Sequence, residues 1–270
     1  MNKKELTGME ESKMQEIAQY LYDAEKNKTA IDNVTEVFNV SFDEQEAYDI
    51  QDLVVALKKE TDGKTAAYKI GLTSPAKIKQ LNIDQPVYAH IFEYMISYDG
   101  EPLSMERFIH PRIESEVTIV LKEDIYQENV TFEEVMDKID YVYSSVEIVD
   151  SRYHGFRFSL EDVVADNTSC QGAVYSNTHF SLDQVDILNE KAVVYINGEK
   201  IDEGVGKDVA NHPANAVVFL ANALYKRGVK LEAGVPIMTG GMTKANKIEI
   251  GDKVEVKFDT MDDITFEVVE

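Results

Sequence analysis

Hydrophobic residues recur at helical spacing in two stretches near the start of the chain. Between residues 5 and 27 the apolar positions mostly follow one another at steps of three to four residues, at Leu6, Met9, Met14, Ile17, Leu21 and Ala24. Such spacing among many charges predicts an amphipathic helix. In "SFDEQEAYDIQDLVVALKKE", Ser41 and Glu44 have the spacing of a capping box, which predicts a second helix over residues 42–60. The polar stretch "TDGK" ends this pattern.

The pattern changes at Ala66, where short segments rich in β-branched and aromatic residues begin. They read "AAYKIGL", "EVTIVL", "YVYSSVEIV", "AVVYINGEKI" and "KVEVKFD". Runs of this kind predict strands, and Asn197-Gly198 predicts a two-residue hairpin turn. From this point onward the chain is expected to be mainly β-structure.

Two later segments carry helix signals. "TFEEVMDKI" opens with a capping box from Thr131 to Glu134, and "HPANAVVFLANALYKRG" has Pro213 at a first helical position and Gly228 as a C-cap. Helices do not alternate regularly with strands, which disfavours a doubly wound sheet. We expect an α+β fold with a mixed, strongly curved sheet, an N-terminal helical segment over residues 1–65 and a second domain over residues 66–270.

The net charge limits the classes of partner. The chain has 270 residues, 44% of them hydrophobic, which is enough for a large core. It carries 27 Lys and Arg against 50 Asp and Glu, a formal charge of −23. Such an acidic chain gains nothing from contacts with phosphate backbones or anionic membranes, so nucleic acid and membranes are disfavoured as partners.

Cysteine usage and the N-terminus indicate the compartment. Cys170 is the single cysteine, so no disulfide can form within the chain, which is typical of a reducing compartment. We expect Cys170 to pack in the core rather than act as a nucleophile. "MNKKELTGMEESKMQEI" lacks the apolar core of a signal peptide, and no apolar run approaches membrane-spanning length. We expect a soluble cytoplasmic protein.

Three glutamates stand out as candidate ligands. In "PRIESEV", Glu114 and Glu116 share one face of a predicted strand, and Glu147 in "SSVEIVDSRY" also lies among apolar residues. Converging carboxylates repel unless a cation balances them, and Mg²⁺ or Mn²⁺ suits an all-oxygen set. In the alternative interpretation the strand face is solvated and Glu147 pairs with Arg152 or Arg112. Spacing alone favours this alternative.

The histidines do not point to a transition metal. They show neither an HxxxH pattern nor Cys/His ligand spacing, at His90, His110, His154, His179 and His212.

Other polar stretches are open to two interpretations each. Lys69 in "YKIGLTS" could be an edge-strand lysine, or a base whose pKa is lowered beside a metal. "ADNTS" (residues 165–169) fits a turn or a carboxylate-binding cluster, and "TGGMT" (residues 239–243) fits a turn or an anion-binding nest.

Taken in order, several motifs resemble one family. They read "YKIGLTSPAKIKQLNIDQPVYAHIFEYM", "IHPRIESEV", "VEIVDSRYHGFRFSLEDVVADNTS", "GVG", "HPANAVVFLANALYKRGVKLEAG" and "IMTGGMT". They resemble the hydratase/decarboxylase branch of the fumarylacetoacetate hydrolase-like superfamily, which includes 2-oxopent-4-enoate hydratase and 4-oxalocrotonate decarboxylase. The resemblance spans nearly the whole chain and is densest from Tyr68 to Ser169.

The resemblance implies roles for individual residues. Its metal pattern, a Glu-x-Glu pair and a later glutamate before "VDSR", falls on Glu114, Glu116 and Glu147. Its catalytic lysine falls on Lys69, and its acidic residue before "QP" resembles Asp84. The substrate-binding positions that we expect are Leu72, Asp166, Asn167, Ser169, Thr239 and Gly240.

The family properties implied are a Mg²⁺-dependent enzyme of meta-cleavage aromatic degradation with a β-roll core, acting on a small 2-oxo acid. A homo-oligomer is also implied, and the apolar helix predicted from Ala214 to Tyr225 agrees with one. The resemblance leaves open a complex with a related hydratase or decarboxylase.

Within the branch, "IHPRIESE" and "IMTGGMT" resemble the decarboxylase. The reaction implied is decarboxylation of a 2-oxo-3-hexenedioate through a metal-held dienolate. The alternatives are hydration of 2-hydroxypenta-2,4-dienoate, or a non-catalytic 2-oxo acid binding protein or partner subunit. Three departures bear on the substrate: Ala89 and Asn211 replace glycines, and "DTMDDITFEV" replaces a Gly-Leu-Gly turn.

Overall fold

A computed structural model of the chain describes residues 8–74 and 85–270. The chain divides into two compact units, Met1–Gly63 with Ser151–Ser169, and Lys64–Asp150 with Cys170–Glu270. In the described ranges, none of the helices combines the length and the apolar character that a bilayer-spanning segment needs.

The α-helices of the described residues, in chain order, are α1 (Glu11–Lys26), α2 (Val34–Val37), α3 (Glu44–Thr61), α4 (Phe132–Lys138), α5 (Leu160–Ala165) and α6 (Pro213–Lys226). Short 3-10 turns lie at Glu93–Met95, Met105–Arg107, His154–Phe156, Asn167–Ser169 and Gly206–Asp208.

The strands of the described residues are β1 (Thr65–Gly71), β2 (Val87–Phe92), β3 (Ile96–Tyr98), β4 (Leu103–Ser104), β5 (Arg112–Leu121), β6 (Ile139–Val149), β7 (Cys170–Tyr175), β8 (Lys191–Ile196), β9 (Glu199–Val205), β10 (Pro236–Met238), β11 (Asn246–Lys247), β12 (Lys253–Phe258) and β13 (Ile264–Val269).

The first unit is built from α1, α2, α3 and α5. The predicted first helix starts too early, because residues 8–10 are not helical and Glu10 is the N-cap of α1. The apolar stripe behaves as expected, since Ile17 and Leu21 are buried. Residues 5–7 of that prediction lie outside the described residues.

The capping box of α3 differs from the prediction. Asp43 Oδ1 accepts the Glu46 N–H, and Glu46 Oε2 accepts the Asp43 N–H, so the box is formed by these two residues and not by Ser41 and Glu44. The same sequence spacing occurs twice within six residues, and the first apolar residues that α3 buries, Ala47 and Tyr48, fit the later start.

The helix signals of the second unit are confirmed. The Thr131 side chain accepts the Glu134 N–H, and the Glu134 carboxylate accepts the Thr131 N–H at the start of α4. Pro213 occupies the first turn of α6. Gly228 follows the end of that helix with φ +72°, a conformation that glycine adopts at little cost.

The strands of the second unit form two sheets. One has the order β2-β1-β10-β5-β6-β7-β3 with β11 beside β5, and the other has the order β4-β13-β12-β8-β9. β1 pairs with β10 and β3 with β7 in parallel, whereas β6 is antiparallel to both of its neighbours, β5 and β7. The predicted α+β class with a mixed sheet is confirmed. The Asn197-Gly198 hairpin turn is also confirmed, because it joins the antiparallel pair β8 and β9.

The register of the larger sheet positions the acidic side chains. Glu114 on β5 pairs with Glu147 on β6, and Glu116 pairs with Ser145, which pairs in turn with Tyr175 on β7. Directly paired residues project from the same face of a sheet. These five side chains therefore share one face, in two adjacent rows across the strands.

Candidate active site

Three glutamates come together where the start of β5 lies beside the end of β6. Carboxylate oxygens of Glu114, Glu116 and Glu147 all lie within 4.8 Å of one another. Glu116 and Glu147 are 0% and 1% exposed, so the interpretation of a solvated strand face is wrong for Glu116. Glu114 is partly exposed, which leaves the cluster open on one side.

The environment of Glu116 disfavours its charged form. Burial, followed by the neighbouring charges of Glu147 and Glu114, raises the pKa of the Glu116 carboxyl well above its ordinary value. The Gly240 N–H donates to Glu116 Oε2 at 2.8 Å and opposes this shift. Glu116 Oε1 is buried and has no hydrogen-bond partner among the described residues.

These observations test whether the cluster fits a divalent cation. The donor set consists of carboxylate oxygens, which are the ligands that Mg²⁺ and Mn²⁺ prefer. Glu116 Oε1, buried without a partner in the described part of the chain, has the character of a ligand atom. A cation would also balance the repulsion among Glu114, Glu116 and Glu147. Glu114, Glu116 and Glu147 therefore fit a divalent cation as its ligands.

Lys69 is buried beside the same carboxylates. Its Nζ lies 2.8 Å from Glu147 Oε1, with 4% and 2% of the two side chains exposed. Burial lowers the pKa of Lys69, but the charge and hydrogen bond of Glu147, with smaller contributions from Cys170 and Glu116, outweigh it, so the pKa is raised above its ordinary value. The interpretation of Lys69 as an edge-strand lysine is wrong, because β1 lies between β2 and β10. The sequence interpretation of Lys69 as a base expects its pKa to be lowered beside a metal. The neighbouring protein groups alone raise the pKa of Lys69 instead.

The "TGGMT" turn is built onto the acidic cluster. Thr239 Oγ1 donates to the Val117 carbonyl at 2.7 Å, which ties the turn to β5. A Cβ on Gly240 would collide with Thr73, and a Cβ on Gly241 would collide with the Glu114 carboxylate. The anion that receives the Gly240 N–H is thus a side chain of the protein itself, Glu116.

Loops before and after the strands hold the cluster in place. The Asp150 carboxylate accepts the N–H groups of Ile109 and His110 at 2.7 and 2.8 Å, and so fixes the loop that leads into β5. Leu72, which directly follows β1, has φ +57°, an uncommon conformation for a non-glycine residue that often marks functional sites.

The "ADNTS" residues belong to the first unit. Asn167, Thr168 and Ser169 have consecutive φ values of 48°, 52° and 55° and are buried. Ser169 Oγ has no hydrogen-bond partner among the residues that the structure describes. Such clustered strain in non-glycine residues is typical of functional segments.

Asp166 lies in the same unit and pairs with a buried arginine. The Arg152 side chain donates from Nε to Asp166 Oδ1. Burial raises the pKa of Asp166 to about 6, although Arg152 opposes the shift. Arg152 therefore pairs with Asp166, and the ion pair observed for Glu147 is with Lys69.

One predicted site residue is not described by the structure, and three residues near the acidic cluster were not predicted. Asp84 lies outside the described residues. Sequence analysis missed Gly241, Ser145 and Tyr175. The "TGGMT" motif contained Gly241, but its close approach to Glu114 depends on tertiary packing. Ser145 and Tyr175 share a row with Glu116 only through the registers of β5, β6 and β7, which no local pattern gives.

Similarity to known proteins decides the family. No protein-family model matches the chain. The chain is 35% identical over 243 residues to 4-oxalocrotonate decarboxylase of Pseudomonas putida, covering 90% of this chain and 91% of that protein. It belongs to the hydratase/decarboxylase family of the fumarylacetoacetate hydrolase-like superfamily.

Other members of the family include hydratases. The chain is 33% identical over 258 residues to 2-oxo-hept-4-ene-1,7-dioate hydratase of Escherichia coli, covering 92% of this chain and 95% of that protein. The resemblance inferred from the motifs is thereby confirmed.

Solved structures of other proteins are similar to this chain. The structure of 4-oxalocrotonate decarboxylase from Pseudomonas putida G7, complexed with magnesium and adipate, matches with a TM-score of 0.92 and 34% identity, covering 97% of this chain and 99% of that chain. Fumarylpyruvate hydrolase from Pseudomonas aeruginosa, in complex with Mn²⁺ and pyruvate, matches at 12% identity with a TM-score of 0.61, over 76% of this chain and 89% of that one. The second likeness concerns the fold alone.

Proposed function

We propose that this protein is a Mg²⁺-dependent lyase that decarboxylates a 2-oxo-enedioate of the 2-oxo-3-hexenedioate type, in the meta-cleavage degradation of aromatic compounds. The observation that carries the proposal is the cluster of three carboxylates within 4.8 Å of one another, with Lys69 paired to one of them. The similarity to 4-oxalocrotonate decarboxylase over 90% of the chain supports it.

Glu114, Glu116 and Glu147 would hold the ion, with Mg²⁺ expected and Mn²⁺ as the alternative. Three protein ligands leave positions of an octahedral ion for water and substrate. When bound, the cation supplies Lewis-acid stabilisation of negative charge that develops on the 2-oxo group. Gly240 keeps the Glu116 carboxylate oriented through its N–H, and Gly241 leaves space for Glu114.

Lys69 is the group that moves the proton. Decarboxylation breaks the bond between the distal carboxylate and its carbon, and the electron pair passes through the alkene to the 2-oxo end of the molecule. One proton must then be added to carbon. In the ammonium form, which the neighbouring carboxylates favour, Lys69 Nζ holds a proton inside a buried site. Asp84 is proposed as the second acid–base group on the resemblance.

Substrate binding is proposed at Leu72, Asp166, Asn167, Ser169, Thr239 and Gly240. The positive φ of Leu72 and the strained, buried turn at residues 167–169 support binding roles for these segments. The Thr239 hydroxyl already donates a hydrogen bond to the Val117 carbonyl. The substrate contact proposed for Thr239 would therefore be made by another atom of this residue in the turn.

A second candidate function is hydration of 2-hydroxypenta-2,4-dienoate. It is favoured by the similarity to hydratases, among them 2-keto-4-pentenoate hydratase of Burkholderia vietnamiensis, at 34% identity over 73% of this chain. Both reactions place negative charge on the same end of a 2-oxo acid, so one site suits both. A non-catalytic 2-oxo acid binding role is disfavoured by the intact glutamate cluster with Lys69.

Four finer expectations complete the proposal. The mixed sheet curves into a roll, residues 1–65 form a helical segment with a catalytic domain over residues 66–270, the protein acts in the cytoplasm, and it forms a homo-oligomer. A complex with a related hydratase or decarboxylase is left open.

The proposal is tested by turnover of 2-oxo-3-hexenedioate and 2-hydroxypenta-2,4-dienoate, each with Mg²⁺ and with EDTA. Mg²⁺-dependent loss of the dioate with release of CO₂ is expected. Mg²⁺-dependent turnover of the dienoate alone would replace decarboxylation with hydration. Turnover of neither acid, despite tight binding of Mg²⁺, would overturn both.

A further inference from the structure

Tyr175 is a buried residue whose hydroxyl has no role in the site described so far. It ends β7 and is 3% exposed. Its hydroxyl is buried and has no hydrogen-bond partner among the described residues. A buried hydroxyl without a hydrogen-bond partner lowers the stability of a fold, so its presence at this position calls for an explanation.

The position of Tyr175 points to the acidic cluster. Tyr175 pairs with Ser145, and Ser145 pairs with Glu116, so the three side chains form one row on one face of the sheet. Rings of Tyr143 and Tyr98 flank Tyr175, with centroids 5.3 and 6.5 Å away. Tyr175 therefore lies in the row that carries Glu116, with aromatic rings beside its own ring.

Ser145, the polar residue between Tyr175 and Glu116 in this row, already makes two hydrogen bonds. Ser145 Oγ donates to the Glu116 carbonyl at 3.3 Å and accepts from Thr118 Oγ1 at 2.7 Å. Burial raises the pKa of the Tyr175 phenol well above its ordinary value, with smaller contributions from Tyr143, Cys170 and Glu116. At neutral pH the phenol is a neutral hydrogen-bond donor.

We propose that the Tyr175 hydroxyl donates a hydrogen bond to a carboxylate oxygen of the bound acid, and that Tyr175 is therefore a ligand-binding residue of the site. The inference rests on the proposed function for the class of ligand. A neutral donor stabilises an entering carboxylate through a charge-assisted hydrogen bond, and it leaves the balance of charge among the glutamates, Lys69 and a bound cation unchanged. The carboxylate is either the one beside the 2-oxo group or the distal one of a dioate.

The test compares Tyr175→Phe with wild type and with a matched control. The control is Tyr141→Phe on the same face of β6, where Tyr141 pairs with Val120, four residues along the strand from Ser145. Calorimetry measures the binding of adipate and of pyruvate to Mg²⁺-loaded protein. Thermal unfolding of each protein in EDTA gives a readout that does not depend on the ion or on turnover.

We expect Tyr175→Phe to weaken the binding of adipate by roughly 10- to 100-fold, the effect of losing one hydrogen bond to a charged group, without lowering the melting temperature. Tyr141→Phe is expected to keep both values. Weaker binding of both acids assigns the phenol to the carboxylate beside the 2-oxo group, and weaker binding of adipate alone assigns it to the distal carboxylate.

Unchanged affinity for both acids in Tyr175→Phe would overturn the inference. A fall in melting temperature would do the same, because it would indicate a partner within the protein, and so would a wild-type protein that binds neither acid. A wild type that binds these acids but turns over neither candidate substrate would contradict the proposed function and leave the role of Tyr175 standing.

Discussion

Lys69 Nζ lies 2.8 Å from Glu147 Oε1, and both side chains are almost fully buried. Their strands, β1 and β6, are separated in the sheet by β10 and β5. The ion pair thus reaches across two strands, and it places an ammonium group directly beside the acidic cluster. A buried pair of this kind is costly to desolvate, which makes a functional role a better explanation than stability.

Replacing Lys69 by methionine is expected to reduce kcat by ~10²–10⁴, the usual contribution of a positioned acid–base group. Binding of Mg²⁺ should not weaken, because the substitution removes a positive charge beside the cation site. Steady-state kinetics and metal titration on the same protein measure the two effects. Near-native turnover would assign Lys69 to structure alone.

Lys58→Met is the matched control for that variant. Lys58 is also fully buried and paired with a glutamate, Glu25, at 2.7 Å, but it belongs to the first unit. Breaking this buried pair should lower the free energy of unfolding by about 3–5 kcal/mol while kcat of the folded protein is kept. If both lysine variants lost kcat equally, loss of folded protein would explain the effect at Lys69.

Glu116→Gln and Glu147→Gln are each expected to weaken Mg²⁺ and Mn²⁺ by at least roughly 10- to 100-fold, since even outer-shell changes have effects of that size. In wild type, saturating Mg²⁺ should also raise the melting temperature relative to EDTA, because the ion binds the folded state. Each variant should show a smaller rise at the same Mg²⁺ concentration. Glu255→Gln, on β12 of the other sheet, serves as the control and should titrate like wild type.

Glu116 contributes to the pH dependence of stability. Its pKa is raised in the folded protein, above the ordinary value of 4.5, so between these values the folded state binds more protons than the unfolded state. The free energy of unfolding in EDTA should therefore fall as pH rises above about 4.5 and through the raised pKa. Urea unfolding across this range measures the slope. Glu116→Gln should make the slope shallower without abolishing it, because Asp166, whose pKa is also raised, contributes in the same direction. An unchanged slope in that variant would exclude a contribution from Glu116.

Light scattering at micromolar concentration is expected to give a multiple of the chain mass. This prediction rests on the resemblance, because the apolar residues of α6 that motivated it are largely buried within one chain, including Val217, Leu220 and Leu224. A strict monomer would contradict it.

Local signals were sufficient for much of the fold. The capping box at Thr131 and the hairpin at Asn197-Gly198 depend on neighbouring residues only, and both are present. The start of α3 was misplaced because two overlapping stretches satisfy the same capping pattern, and packing of the helix decides between them.

The site was predictable in part. The spacing of Glu114 and Glu116 gives a shared face, but their meeting with Glu147 depends on how β5 pairs with β6. Spacing alone favoured a solvated face, and burial of Glu116 excludes it. Tyr175 could not be found from sequence, because its place in the same row as Glu116 is fixed by two successive strand registers.

The central claim is that Glu114, Glu116 and Glu147 hold one divalent cation. The most direct measurement is an anomalous difference map from a crystal of the protein grown with Mn²⁺. The account predicts a single strong peak bounded by carboxylate oxygens of all three glutamates, and its loss in crystals of Glu116→Gln. A peak elsewhere in the molecule, or none at this cluster at saturating Mn²⁺, would contradict it.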